Sequence, residues 1–177
     1  MPTSEDEQGI PTIAEGDAQD VYAFVGLTLY SASVLEAELI NLAVGLRASL
    51  KADGHYRDEL EAWFDQHEAM TFGALLAVIR RLTTVSVETE ETVSQALKTR
   101  NRFVHSFFRD HAEDFLSQPG RRGMIEKLRQ HAILFRKADR ILSQETSRIW
   151  KSLGLTDETI EREMALLKDR ASARDAV

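Results

Sequence analysis

The sequence contains no cysteine, which excludes disulfide bonds and thiolate metal sites. Helix-breaking residues are few as well, with three prolines and nine glycines in 177 residues. Two of the prolines lie within the first eleven positions, so the interior of the chain is almost free of residues that interrupt helices. An all-α fold is therefore the expected class.

Long uninterrupted apolar runs are also missing, and none approaches the ~20 residues that a membrane-spanning helix needs. The segment from Met1 to Gln8 is acidic, whereas a signal peptide begins with basic residues and continues with an apolar stretch. We therefore expect a cytoplasmic protein with no membrane partner. The composition, 43% hydrophobic and 29% charged, is typical of a globular domain with its own core.

The net charge of −7 argues against a surface that binds nucleic acid indiscriminately, because phosphate contacts need a basic surface. The charge is unevenly distributed, however. The segment from Lys98 to Arg140 has eleven Lys and Arg side chains against five Asp and Glu, an excess of six positive charges. Two interpretations stay open: each of two helices has a solvated basic face, or an anionic ligand binds near this segment.

Apolar residues recur three or four positions apart through most of the chain, which is the pattern of amphipathic helices. Asp17, Thr71 and Ser86 each precede such a stretch and are good N-caps. The pattern predicts helices over residues 17–50, 55–67, 71–82, 86–116, 122–153 and 156–170. We expect an up-and-down bundle of about five to six helices in one domain, residues 17–177, after a flexible acidic arm, residues 1–16.

Glycine and proline mark the expected helix ends. Gly54 and Gly154 are placed to stop the first and the last long helix. The pair Pro119-Gly120 is the first breaker after Ser86, so the helix that begins at Ser86 should continue to about Leu116.

One stretch of the helix from Ser86 has polar groups where packing predicts apolar ones. Its apolar residues advance by four or seven positions: Val93, Leu97, Val104, Phe108 and Phe115. Arg100 and His111 fill the two slots that this series leaves empty. A core-facing guanidinium costs several kcal/mol if it is unpaired, so Arg100 needs an acceptor, a wet cleft or an anionic ligand.

Arg100, Asn101 and His105 form the candidate catalytic set. Asn101 and His105 are four residues apart and share a helix face, whereas Arg100 and His105 are five apart, about 140° around an ideal helix. The set supplies a permanent cation, an amide that can orient an oxygen, and an imidazole of the kind that titrates near neutrality. Cleavage of RNA by its own 2′-hydroxyl needs such groups and no metal.

The run Arg100-Asn101-Arg102-Phe103-Val104-His105 resembles the Arg-Asn-x3-His motif of the HEPN superfamily, a group of helical-bundle ribonucleases and toxins. The resemblance in sequence covers residues 93–111, and elsewhere only the helical pattern is similar. It implies a homodimer in which two motif helices line one RNA-cleaving cleft, often in a toxin or phage-defence factor restrained by an antitoxin or regulatory protein. By the same resemblance, Arg100 would bind the scissile phosphate, His105 would be the general acid or base, and Asn101 would orient one of them.

Nearby side chains are weaker candidates. Three basic residues beside the motif are candidate RNA contacts: Lys98, Arg102 and Arg109. His111 is either a donor behind the site or a packing residue. The remaining histidines have no ligand spacing with carboxylates, so no metal or other cofactor is expected.

Two alternatives to catalysis stay open. In a purely structural account, Arg100 pairs with Glu36 or Glu38 of the first long helix, and His105 is a packing or capping residue. In a functional alternative, the chain is a non-catalytic helical regulator or adaptor that binds a protein partner through its acidic surface. The net charge of −7 favours this alternative over a broad nucleic-acid role.

Overall fold

The computed structural model describes residues 9–11, 16–51 and 56–175, and this part of the chain contains helices and no strand. The six α-helices are α1 (Ala18–Ser49), α2 (Leu60–Glu68), α3 (Phe72–Leu82), α4 (Val87–Asp110), α5 (Gln118–Ser152) and α6 (Asp157–Asp175). Two short 3-10 turns lie at Arg57–Glu59 and Asp114–Leu116. The predicted all-α bundle is confirmed.

Side-chain caps begin most of these helices, among them the three with a predicted N-cap. The Asp17 carboxylate accepts a hydrogen bond from the Asp20 amide at 2.7 Å, Thr71 Oγ1 caps α3, and Ser86 Oγ caps α4. Each cap satisfies an amide that has no partner within its own helix, which is why these residue types start helices. All three predicted N-caps are confirmed. At the far end of α5, Gly154 has φ +92°, a conformation that side chains disfavour.

The two longest helices, α1 and α5, pack along each other and form the centre of the bundle. Helices α2 and α3 pack on α1, and α4 packs on α5. The largest buried cluster joins α1, α3, α4 and α5 through residues such as Leu39, Leu75, Val93 and Phe135. A second cluster fixes α4 against α1 and α5 and includes Phe24, Phe103, Phe107 and Leu128. Trp63 of α2 is buried against α1.

The connection between α4 and α5 differs from the expectation. Helix α4 ends at Asp110, a 3-10 turn follows, and α5 begins at Gln118, before the pair that was expected to break the helix. Proline is tolerated in the first helical turn, where its missing N–H would have no helical partner, so Pro119 starts α5. Gly120 lies so close to the Asp114 backbone that an added Cβ would come within 2.7 Å of Asp114 Cα.

Two further expectations concern the N-terminal part of the chain. Most of the predicted arm and the predicted stop Gly54 lie outside the described residues, although Ile10 is buried in the cluster of Phe24 and Phe103. By length and composition α1 would be able to cross a membrane, with a mean hydropathy of 1.4 in its most apolar window, of which 33% is buried. Core helices of bundles have the same properties, and α2, α3 and α5 pack on α1.

Helix α6 exposes its large apolar side chains to solvent: Ile160, Met164, Leu166 and Leu167. An ion pair of 2.9 Å between Lys151 Nζ and Asp157 Oδ2 connects its first turn to the end of α5. An exposed apolar series on a helix is a surface that a partner can cover.

Candidate functional site

Helix α4 carries two adjacent apolar series, and the structure buries a different one from the series predicted. The buried residues are Thr92, Val93, Ala96, Phe103 and Phe107. Val104 and Phe108, each one residue further along and about 100° around the helix, are 46% and 44% exposed. The predicted series was therefore wrong at these two positions, because α5 packs against Phe103 and Phe107 instead.

Arg100 still lies in the buried series, since it follows Ala96 by four residues and precedes Phe103 by three. Its side chain is 28% exposed, and its Nη2 lies 3.5 Å from Glu36 Oε2 on α1. A second long hydrogen bond, 3.4 Å, joins Arg100 Nη1 to Asn101 Oδ1. The carboxylate partner on α1 is thus Glu36 and not Glu38. Contacts at this distance between half-exposed groups hold the guanidinium weakly.

Asn101 and His105 are exposed on the side of α4 that faces away from its buried series. In the described part of the chain, the His105 imidazole has no hydrogen-bond partner. The Asn101 amide and the His105 imidazole are therefore accessible to a ligand. The Arg100 side chain is partly exposed at the edge of the surface that these two groups form.

Exposed apolar residues of α1 continue this surface. The Tyr22 ring lies 6.3 Å from the Phe108 ring, and Glu36 meets Arg100. These two contacts align α1 and α4 antiparallel, so we infer that the exposed Leu29 lies beside Val104. We call this surface the motif face, and its residues are Tyr22, Leu29, Arg100, Asn101, Val104, His105 and Phe108.

The three weaker candidates for RNA contacts lie in different places. Lys98 is exposed and precedes Arg100 by two residues. Arg102 and Arg109 both contact Asp110, at 3.2 Å and 3.7 Å. Arg102 thereby belongs to a separate cavity between α4 and α5 and not to the motif face.

We call the cavity between α4 and α5 the α4–α5 pocket. It has a volume of about 380 Å³. It is lined by Arg102, Phe103, Phe107, Asp110, His111, Lys127 and His131. His111, interpreted from the sequence as a packing residue or a donor behind the site, stands in its wall with Nδ1 2.7 Å from Asp114 Oδ2. Lys127 and His131 were not singled out from the sequence, although their spacing of four residues on one helix places them on one face.

Charge in the α4–α5 pocket is predominantly positive. Lys127 Nζ lies 3.5 Å from His111 Nε2. Burial lowers the pKa of His131, and the positive charges of His111, Lys127 and Arg102 lower it further. The Nδ1 atom of His131 is buried and has no hydrogen-bond partner among the described residues.

A larger cavity of about 720 Å³ lies between α1, α2, α5 and the start of α6. Its walls are mainly apolar and aromatic, with Phe64 and Trp150 among them, and Asn41 and Thr146 supply polar groups. In the described part of the chain, no three His, Asp or Glu side chains are grouped as ligands for a metal ion.

Glu38 is a half-buried residue, and its partners Asn41 and Thr146 line this larger cavity. Burial raises the pKa of the Glu38 carboxyl, hydrogen bonds from Thr146 and Asn41 lower it in part, and the nearby Asp139 raises it further. Its Oε1 atom has no partner among the described residues. The charged form of Glu38 is therefore disfavoured in the folded protein.

We expect Glu38→Gln to raise the melting temperature near neutral pH. The folded state keeps the Glu38 proton to a higher pH than the unfolded chain does, so stability is lost as the pH rises above about 4.3, the unfolded pKa of glutamate. The advantage of the variant should therefore shrink toward about pH 4, as thermal unfolding at several pH values would show. The exposed control Glu158→Gln should have no such effect, and a variant that is destabilised at neutral pH would contradict the argument.

The fold and these surfaces define an all-α bundle that exposes an Arg, Asn and His set beside an apolar patch. Comparisons with protein-family models, with curated proteins and with solved structures give no match to the chain.

Proposed function

We propose that the protein is a metal-independent endoribonuclease, similar to HEPN proteins, that acts as a homodimer through its motif face. The observation that carries the proposal is the accessibility of Asn101 and His105 next to the weakly paired Arg100. A base, an amide and a cation are the groups that cleavage by the 2′-hydroxyl requires.

In the proposed reaction, one His105 takes the proton of the 2′-hydroxyl, and the 2′-oxygen attacks phosphorus. The bond from phosphorus to the 5′-oxygen breaks, and a second His105 protonates that oxygen. The products are a 2′,3′-cyclic phosphate and a free 5′-hydroxyl. Arg100 stabilises the negative charge that develops on the phosphoryl oxygens, and Asn101 orients the phosphate or the imidazole.

Geometry favours a second copy of the chain. Arg100 and His105 point about 140° apart on one helix, so a single α4 presents them poorly to the same phosphate. Two copies related by a two-fold axis would place the Arg100 of one opposite the His105 of the other. The exposed Val104, Phe108 and Tyr22 supply apolar surface for such an interface.

The test is incubation of the purified protein with total RNA in EDTA, followed by analysis of the new RNA ends. We expect fragments with 2′,3′-cyclic phosphate ends, because no step of the proposed reaction needs a metal. Intact RNA in the presence of a well-formed dimer would refute the enzymatic proposal.

A separate prediction concerns the oligomeric state of the proposed dimer. We expect Phe108→Glu to convert the dimer into a monomer, because a carboxylate in an apolar interface loses its hydration without gaining a partner. Analytical ultracentrifugation measures the change. The control is Leu116→Glu, which replaces a leucine that is 81% exposed and lies outside the motif face. Equal masses for the two variants would contradict an interface at the motif face.

A biological role follows from the same resemblance. As part of the proposal, the protein acts in the cytoplasm as a toxin or phage-defence effector, restrained by a cognate antitoxin or a regulatory protein. A gene for a small antitoxin or a nucleotidyltransferase beside the gene of this protein would support the role.

A non-catalytic adaptor is the second candidate, and helix α6 is the observation that favours it. Ile160, Met164 and Leu167 are exposed at spacings of three and four residues, the arrangement by which an amphipathic helix binds a groove on a partner. An adaptor would leave RNA intact in EDTA, and its binding would be lost when α6 is removed.

A further inference from the structure

We propose that helix α6 pairs in antiparallel orientation with α6 of a second copy of the chain, through an exposed series of apolar side chains. The series consists of Ile160, Met164, Leu167 and Ala171, and we call it the α6 stripe. It lies outside the motif face, and nothing in the proposed cleavage reaction uses it. The α6 stripe is therefore a second surface at which copies of this chain meet.

The first argument is that the α6 stripe is uncovered. Ile160, Met164 and Leu167 are 44%, 49% and 55% exposed, and Ala171 is exposed as well. On an ideal helix these four residues lie within about 60° of one another, so they form a single face. Thr159, which lines the large cavity, points about 100° away from Ile160. The side of α6 that faces the bundle is thus not the side that carries the stripe, and an exposed apolar face favours association.

The second argument is the spacing of the stripe residues. They follow one another by four, three and four positions, which is the spacing of the a and d positions of a coiled coil. Met164 and Ala171 take the a positions, and Ile160 and Leu167 take the d positions. In an antiparallel pair, an a position of one helix lies beside a d position of the other. Met164 would then lie beside Leu167 of the second copy, and Ile160 beside its Ala171.

The third argument is the charge on both sides of the stripe, which favours the antiparallel orientation. Glu161 and Lys168 flank the stripe on one side, and Glu163 and Arg170 flank it on the other. An antiparallel pair brings Glu161 next to Lys168 of the second copy. It also brings Glu163 next to Arg170, so the two-fold axis generates four pairs of opposite charge. Among these four residues, a parallel pair would join only Glu163 with Lys168.

The flanking charges are available for contacts between copies. Glu161, Lys168 and Arg170 form no ion pair within the part of the chain that the structure describes. Glu163 has a single long contact, 3.9 Å, with the neighbouring Arg162. All four flanking side chains are exposed. Pairing of two α6 helices therefore breaks no strong ion pair among the described residues.

The size of the interface sets its strength. Two helices that meet through three large apolar side chains each bury less than the roughly 1,200 Å² of a stable complex. We therefore expect weak association, with a dissociation constant of about 0.1 mM. The Phe108→Glu variant, which lacks a functional motif face, should then be mostly monomeric at about 10 µM and mostly dimeric at about 1 mM.

Disulfide trapping tests the orientation, and the chain has no cysteine of its own to interfere. In the proposed pair Ile160 lies beside Ala171 of the second copy, whereas the two copies of either residue lie about 16 Å apart, too far for a disulfide. We expect Ile160→Cys mixed with Ala171→Cys to form a covalent dimer under mild oxidation, and neither variant alone to do so. Both carry Phe108→Glu, so the motif face does not contribute. Non-reducing electrophoresis measures the result.

Charge reversal tests the flanking pairs, again in the Phe108→Glu background. The basic variant combines Glu161→Lys with Glu163→Lys, and the acidic variant combines Lys168→Glu with Arg170→Glu. Each variant alone should stay monomeric at about 1 mM and low salt, because its flanking charges repel those of its own copies. An equimolar mixture should dimerise, because every flanking pair is then of opposite charge. Analytical ultracentrifugation measures the masses.

The matched control for charge reversal combines Glu158→Lys with Asp169→Lys. It adds the same charge as the basic variant does, on the face of α6 opposite the stripe. We expect this control to dimerise at about 1 mM as the Phe108→Glu parent does. A loss of pairing equal to that of the basic variant would indicate general charge repulsion and would contradict specific flanking pairs.

Four further outcomes would overturn the proposal. The first is a Phe108→Glu parent that stays monomeric at about 1 mM. The second is a mixture of the two cysteine variants that forms no covalent dimer. The third is a covalent dimer from either cysteine variant alone, which a parallel pair or random collision produces. The fourth is a mixture of the basic and acidic variants that stays monomeric, as expected if α6 binds a different protein. RNA cleavage is a separate measurement, so failure here leaves the nuclease proposal unaffected.

Discussion

Replacing His105 with alanine is expected to lower the proposed RNA cleavage by at least about 100-fold, while the fold and the proposed dimer persist. The imidazole is exposed and makes no hydrogen bond within the described residues, so its removal costs little stability. Its loss removes the group that moves the proton in both halves of the proposed reaction. The measurement is the rate of formation of 2′,3′-cyclic phosphate ends, together with thermal unfolding of the variant.

Arg100→Ala should have a similar effect on cleavage, because it removes the cation that stabilises the charged transition state. Its effect on stability should be small, since the pair with Glu36 is long and partly exposed. Arg148→Ala, which removes an exposed arginine of α5 that pairs with Glu145, is the matched control and should cleave normally. If cleavage by the parent protein survives both the Arg100 and the His105 substitution, the catalytic assignment is wrong.

Gly120→Ala is expected to destabilise the fold by about 3 kcal/mol, a large effect for the addition of one methyl group. The added Cβ would lie within 2.7 Å of Asp114 Cα and closer still to the Asp114 carbonyl oxygen. Both neighbours are backbone, so no side-chain rotation can relieve the overlap. Either the start of α5 or the 3-10 turn at Asp114–Leu116 must move.

Gly123→Ala is the matched control for this prediction. It lies in the same helix, three residues further on, and a Cβ there would meet nothing within 4 Å. Alanine is favoured over glycine in a helix by up to about 1 kcal/mol, so this variant should be neutral or more stable. The denaturant midpoint should therefore fall for Gly120→Ala and not for Gly123→Ala, and an equal midpoint for the two variants would show that the turn is not tightly packed.

The sequence was most informative where structure depends on neighbouring residues. Asp17, Thr71 and Ser86 cap their helices through amides three residues away, so their role was visible locally. Pro119 was misread because a proline that ends one helix and a proline that begins the next differ only in the path of the chain. The apolar series predicted for α4 was wrong at Val104 and Phe108, because the docking of α5 decides which of two adjacent series is buried.

In the candidate site too, the sequence predicted the groups that are close along the chain and missed the contacts that helix packing creates. Arg100, Asn101 and His105 are close in sequence, so their grouping on one helix was predictable. The choice of Glu36 over Glu38 as the partner of Arg100 was not, because it depends on the rotation of α1. The α4–α5 pocket was missed because His111 and Lys127 meet only through the packing of two helices.

The short connection between α4 and α5 has a consequence for the order of folding. The residues of the α4–α5 pocket come from two consecutive helices, so a helical hairpin from α4 to α5 can bring them together with little loss of chain entropy. The contact between Glu36 and Arg100 joins residues 64 positions apart, across two intervening helices. A chain that first forms the contacts with the smaller loss of chain entropy would form the α4–α5 pocket first. It would complete the motif face only when α1 docks. The α4–α5 pocket would then be complete before the motif face is.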